Sequence, residues 1–231
     1  MNEITQFSSR AELDHELANT VSNLLAQAIK IKGKASIAVS GGSTPKGFFS
    51  ILSKSDIDWN KVTITLADER WVDLDSNDSN TRLVHESLLQ NKAAAAKFFH
   101  LKQGEKLCDE TLADLNLAAN NILLPLDVLI LGMGEDGHTA SLFPCSKEIS
   151  LGLDENNVNA LLSVQPKTAP HQRISFSFTS LSTSENVFLH LCGENKKTVL
   201  NKALNGDDKF EMPIRAFLHH KSLNTQIYWA P

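Results

Sequence analysis

Cysteine is scarce in this chain, and the three present, Cys108, Cys145 and Cys192, stand far apart among 231 residues. No CxxC spacing occurs, so neither a disulfide framework nor a zinc site is expected. Buried free thiols in a reducing compartment fit better. A run of lysine or arginine is also missing. The 22 basic residues are outnumbered by 27 acidic ones, and the net charge of −5 argues against a nucleic-acid partner. Met1–Arg10 lacks the basic-then-apolar pattern of a secretory leader, and no apolar stretch approaches the length of a membrane span. A cytoplasmic protein without membrane contact is therefore expected. Proline- or glycine-rich linkers, internal repeats and low-complexity tracts are absent too. A single α/β domain over residues 1–231 is the simpler organisation, and no obligate protein partner is evident.

What is present is ordinary globular material: 42% hydrophobic and 21% charged residues, enough for a packed core. Leu13, Leu17, Val21, Leu24, Leu25, Ala28 and Ile29 recur at three- and four-residue steps, predicting an amphipathic helix over 11–31 closed by Gly33. Residues 35–39 read as a strand. It runs into a glycine turn and a new helix, with Thr44 as cap and Pro45 at the first helical position. A second strand is expected at 62–66, followed by the polar segment Asp68–Arg70 read as a loop, a polar loop at 73–79, and a helix at 80–89. Further strands are expected at 98–101, 126–131, 159–164, 173–178, 186–191 and 226–229, with helices at 107–124, 194–204 and 213–219. Strand–loop–helix units in this order call for an α/β fold, a largely parallel sheet with helices on both faces.

In such sheets ligands bind beyond the carboxyl ends of the strands. Three polar segments follow predicted strands and should converge there: Ser40–Thr44, Asp68–Arg70 and Gly132–Ser141. Ser40, Gly41, Gly42, Ser43 and Thr44 have the makings of an anion cradle, with backbone N–H groups, hydroxyls and a helix N-terminus. Taken alone, the same run fits an ordinary glycine turn before a capped helix equally well, and the P-loop spacing is absent. Gly132-Met133-Gly134-Glu135-Asp136-Gly137 matches the dinucleotide fingerprint GxGxxG in letters. Glu135 and Asp136 would oppose a pyrophosphate, however, and little chain remains before Pro144 for the long helix that the fingerprint needs. The glycines are read instead as shaping a tight turn that presents Asp136 and His138 to a cleft. There a neutral imidazole can take a proton from water while a carboxylate steadies the imidazolium. Asp68-Glu69-Arg70 places a cation beside two acids. Arg70 could hold a phosphate, polarise a carbonyl or make a structural ion pair. Arg173 and Lys196 carry weak signals singly, although Lys196 follows Gly193 at a strand-to-helix junction that suits an anion. Neither a nucleophile elbow nor a metal-ligand cluster appears, which disfavours covalent and metal-assisted hydrolysis.

Several of these segments together resemble the glucosamine-6-phosphate isomerase/6-phosphogluconolactonase family, its lactonase branch in particular. They are Ser40–Pro45, Ala67–Val72, Ser79-Asn80, Leu131–Pro144, Arg173–Ser175 and Gly193–Lys197. The likeness runs in order from about residue 10 to 230, and Asp136-Gly137-His138-Thr139-Ala140-Ser141-Leu142-Phe143-Pro144 is its most specific stretch. Glu135 stands where the family most often has proline, a change that should not touch the chemistry. The resemblance implies a modified Rossmann-like fold without metal or cofactor. The implied activity is hydrolysis of 6-phospho-D-glucono-1,5-lactone to 6-phospho-D-gluconate. His138 would activate water and Asp136 would orient it. The Ser40–Thr44 loop, Asp68, Arg70 and Lys196 would surround the phosphate or the lactone oxygens, with Arg173 as a further positive contact. The deaminase branch of the family is similar in its glycine loop and Asp-Gly-His, but carries a glutamate where Phe143 stands here. An apolar ring cannot move a proton, so a deaminase/isomerase is the lesser alternative. A non-catalytic sugar-phosphate-binding regulator is another, disfavoured because binding alone needs no base.

Overall fold

Ser9 opens the first helix, α1 (Arg10–Lys32): its side chain accepts from the Glu12 N–H, and Gly33 closes the other end in the left-handed conformation. Leu13, Leu17, Val21 and Leu25 lie on one buried face, as their spacing predicts. The computed structural model describes residues 3–231.

Seven strands form the main sheet: β1 (Ile4–Gln6), β2 (Ala35–Val39), β3 (Val62–Leu66), β5 (Lys97–Phe98), β6 (Val128–Leu131), β9 (Asn186–Cys192) and β10 (Thr225–Ala230). Their order is β1-β10-β9-β6-β2-β3-β5, and all six pairings are parallel. β2 and β6 are buried along their whole lengths, as suits strands covered on both faces. The remaining helices are α2 (Lys46–Leu52), α3 (Asn80–Ser87), α4 (Asp109–Ile122), α5 (Ile149–Gly152), α6 (Phe178–Ser182), α7 (Glu194–Leu204) and α8 (Arg215–Leu218). This α/β architecture, a parallel sheet flanked by helices, is the expected one. No helix among the described residues is long and apolar enough to cross a membrane.

From β2 the chain builds outward through β3 to β5, then returns to β6 on the other side of β2 and builds outward again. The order therefore reverses between β2 and β6, and the loops leaving these two strands separate to open a crevice. Ser40 sits at the division. Its hydroxyl donates to the Ile130 carbonyl at 3.1 Å and accepts from the Gly132 N–H at 3.2 Å.

Three local expectations need correction. The segment 68–70 is not a loop but strand β4 (Asp68–Arg70), the edge of a second sheet with β8 (Arg173–Phe176) and β7 (Leu161–Val164), all antiparallel. Its partner lies about a hundred residues away, so no local pattern reveals it. Thr44 does not cap α2. Pro45 is itself the cap residue, without a side-chain bond, and its carbonyl accepts the first helical N–H, from Phe49, at 2.8 Å. The cysteines are free but not buried: Cys108 is exposed, and Cys145 and Cys192 are partly so. The edge strand β1 and the short helices α5 and α6 had no sequence expectation.

Candidate active site

A cleft of about 300 Å³ lies over the carboxyl ends of β2, β6 and β9, and the Ser40–Thr44 loop, Asp68, Arg70, His138, Arg173 and Lys196 all line it. The three polar segments thus meet as expected. Asp136 is not in the lining but stands behind His138.

The loop after β6 is folded on itself. The Gly134 N–H donates to the His138 carbonyl at 2.8 Å, and the Gly137 N–H to the Gly134 carbonyl at 3.1 Å. A Cβ on Gly134 would overlap the His138 ring, so this glycine is what lets the imidazole lie against the loop. No helix opens here; Thr139 and Leu142 bridge instead, and the next helix is α5. That geometry is incompatible with a dinucleotide fingerprint.

His138 Nδ1 meets Asp136 Oδ1 at 2.5 Å, and the same oxygen accepts the His138 N–H at 3.1 Å. Burial alone would push the Asp136 carboxyl up. The hydrogen bond and charge of His138 outweigh it and hold the group below its ordinary value. Opposite, the imidazole stacks on Phe143 with ring centroids 4.0 Å apart. The Arg173 guanidinium lies 5.2 Å from the other part of this cluster, the Phe143 ring centroid. Nδ1 being occupied, Nε2 is the nitrogen left for chemistry.

The cationic part of the cleft is built on the small antiparallel sheet. Arg70 and Arg173 face each other as a directly paired cross-strand couple, an arrangement that like charges make unfavourable. Burial presses the Arg173 guanidinium below its ordinary value; Asp68 opposes the shift and Arg70 adds to it. Asp68 is buried, accepts from the Ser141 hydroxyl at 2.5 Å and lies 3.8 Å from Arg173 Nη1. Both Arg70 Nε and Arg173 Nε are buried without a hydrogen-bond partner. Among the described residues, none of the N–H groups of Gly41, Gly42, Ser43 and Thr44 donates to another backbone group. Lys196, in the first turn of α7, reaches the cleft wall and donates to the Met133 carbonyl at 2.7 Å. Buried donors are seldom left unpaired in folded proteins. The two Nε atoms are closed to solvent, whereas the half-exposed amides of residues 41–44 lie on the cleft beside the two guanidinium groups, a lining suited to an anion.

Some lining residues were not anticipated. Asn80 is buried, donates to the Asp68 carbonyl at 3.1 Å, and packs onto Gly41, where a Cβ would overlap its amide. His190 lies buried in the cleft floor. Glu69 is fully buried below and accepts the N–H groups of Arg70, Asn80 and Thr81 at 2.7, 2.9 and 2.6 Å. Burial pushes its carboxyl up despite those bonds. Asn80 and Glu69 carried a sequence signal, through the Ser79-Asn80 and Ala67–Val72 resemblances, and His190 carried none. No group of three or more His, Cys, Asp or Glu placed to hold a metal occurs among the described residues.

The fold and the cleft define a Rossmann-like α/β enzyme in which a wall of cationic side chains and loop amides faces a histidine–aspartate pair. Residues 8–229 match the family described as glucosamine-6-phosphate isomerases/6-phosphogluconolactonase, and the chain belongs to that family. A protein of Rhizobium meliloti named 6-phosphogluconolactonase is 43% identical over 225 residues, with 97% of each chain covered. One of Neisseria meningitidis with the same name is 41% identical over 227 residues, again with 97% of each covered. The crystal structure of a 6-phosphogluconolactonase from Shewanella baltica superposes with a TM-score of 0.96 at 42% identity, covering 100% of this chain and 98% of that one.

Proposed function

We propose that this chain hydrolyses 6-phospho-D-glucono-1,5-lactone to 6-phospho-D-gluconate in the oxidative pentose phosphate pathway. The observation that carries this reading is one cleft lined both by His138, whose Nδ1 is held by Asp136, and by Arg70, Arg173, Lys196 and the uncommitted backbone N–H groups of residues 41–44. The names of the relatives support the same substrate. The phosphate seats on the Ser40–Thr44 loop together with Arg70, Arg173 and Lys196, which leaves the lactone ring against His138. His138 Nε2 takes a proton from a water as its oxygen bonds to C1, and Asp136 steadies the imidazolium on Nδ1. A cationic side chain or loop N–H holds the oxyanion of the tetrahedral intermediate. When the bond from C1 to the ring oxygen breaks, the imidazolium returns its proton to that oxygen, and the acid is released. The balance needs only water.

Phe143 favours this chemistry over deamination of glucosamine 6-phosphate. Its ring packs on His138 and near Arg173, and it offers no group to open a sugar ring. The proposed roles are tested by generating the lactone in situ from glucose 6-phosphate and following its disappearance. Added protein should shorten the lactone's lifetime well below the spontaneous value. A lifetime that ignores the protein, or sustained ammonia release from glucosamine 6-phosphate, would reject the reading.

A further inference from the structure

Arg10, the first residue of α1, is not part of the cleft lining, yet it holds the anion loop from outside. Its Nη2 donates to the Ser43 carbonyl at 2.8 Å and to the Thr44 carbonyl at 2.7 Å. The peptide plane is rigid, so turning the Ser43 carbonyl toward Arg10 turns the Thr44 N–H the opposite way. The second bond fixes the Thr44–Pro45 peptide, where the chain enters α2. Behind Arg10 stands Asp14, one helical turn along and 4% exposed, with Oδ2 at 3.9 Å from Arg10 Nε. Asp14 Oδ1 in turn lies 3.5 Å from Nε2 of His190 in the cleft floor. The chain of contacts therefore runs from β9 through α1 to the loop backbone.

We propose that Arg10, braced by Asp14, is a positioning residue that presets the Ser40–Thr44 backbone for a phosphate. Arg10 touches no substrate; it acts through the Ser43 and Thr44 carbonyls. Its side chain is 45% exposed, and ion pairs at such positions add little to stability. Two charge-assisted bonds to a five-residue turn, by contrast, restrict the conformations that a bound anion would otherwise have to select. The role rests on the proposed function only in taking the substrate's anion to be a phosphate, and phosphate binding is measurable without turnover.

The test compares Arg10→Met, which keeps the apolar stem, with Arg10→Lys, which keeps a cation with three N–H donors. Inorganic phosphate binding is followed by calorimetry, lactone turnover by KM and kcat, and folding by thermal denaturation. Arg10→Met should raise the phosphate Kd and the lactone KM together, by about tenfold for a lost charge-assisted bond pair. It should leave kcat within about twofold and the melting temperature nearly unchanged, since binding and not chemistry is affected. Arg10→Lys should recover most of the affinity. Asp14→Asn should weaken phosphate binding in the wild-type background but add little to Arg10→Met, because both act through one contact chain. An unchanged phosphate Kd in Arg10→Met, a fall in kcat at constant KM, or full additivity of the two substitutions would overturn the assignment. The two readings fail separately. No lactone turnover with a phosphate Kd that responds to Arg10 sinks the lactonase reading alone. Normal turnover with a Kd indifferent to Arg10 sinks this one alone.

Discussion

At His138 the two ring nitrogens have different surroundings, and the proposed mechanism gives them different tasks. Nδ1 is fixed by Asp136 and by the stack on Phe143, so the ring cannot turn without losing both contacts. Nε2 is then aimed by default. His138→Ala should lower kcat by about 10²–10⁴-fold, the usual worth of one general acid/base, while phosphate binding stays within reach of wild type. A near-normal kcat would remove the imidazole from the reaction. Asp136 adds a pH signature. Its carboxyl is held below its ordinary value in the folded protein, so its contribution to stability is complete above the unfolded-chain value, about 3.9, and is lost as the pH falls through the lower folded value. The melting temperature of Asp136→Asn should therefore trail wild type at pH 5 to 7 and converge on it as the solution is acidified below about pH 4. A gap that stays constant throughout would mean that the carboxylate's charge contributes nothing to the fold.

Among the elements, α3 depends on a residue outside itself. Glu69 in β4 receives the Asn80 and Thr81 N–H groups of the first turn, and Ser79 caps the Arg82 N–H. Glu69→Ala should cost about 2–4 kcal/mol in urea unfolding, because it strands several buried donors at once. Burial raises this carboxyl, so its charge is a net cost at neutral pH that lessens as the pH falls. Glu69→Gln, which keeps the shape without the charge, should accordingly cost less than the alanine. Equal losses would show that filling the space and keeping one acceptor oxygen recover nothing, so that neither packing nor a single acceptor explains what Glu69 does for α3. Strands β2, β3, β6 and β9 were legible because each is a short branched or apolar run between turn residues. Helix α1 was legible through its period. β4 was not, since Asp68-Glu69-Arg70 has no strand composition and gains its pairing from Arg173–Ser175 far along the chain. For the same reason the site was half visible. Ser40–Thr44 and Asp136–His138 follow their strands directly. Arg10, Asp14 and His190 enter through contacts between elements that no local pattern encodes, and a lone arginine after Ser8-Ser9 reads only as the start of a helix.

The molecule as a whole carries a net charge of −5, yet its cleft collects Arg70, Arg173 and Lys196 around the unpaired loop amides. The two fields make opposite demands on the phosphorylated lactone proposed as substrate. The diffuse negative charge repels it, and screening that repulsion with salt would lower KM. The local cations attract it, and screening them would raise KM. Distance decides between them. In 0.1 M salt the screening length is about 10 Å, which already mutes charges spread over the far surface but only partly weakens contacts within the cleft. From that concentration upward the local term should govern, so KM for the lactone should climb by about two- to fivefold as a weakly binding salt is raised from 0.1 to about 0.5 M, while kcat holds. The chemical step should be insensitive because His138 and Asp136 are in direct contact, at a separation far shorter than any screening length reached. A KM that fell with salt across this range would mean that repulsion from the acidic surface, and not capture by the arginines and the loop, limits how this protein meets its substrate.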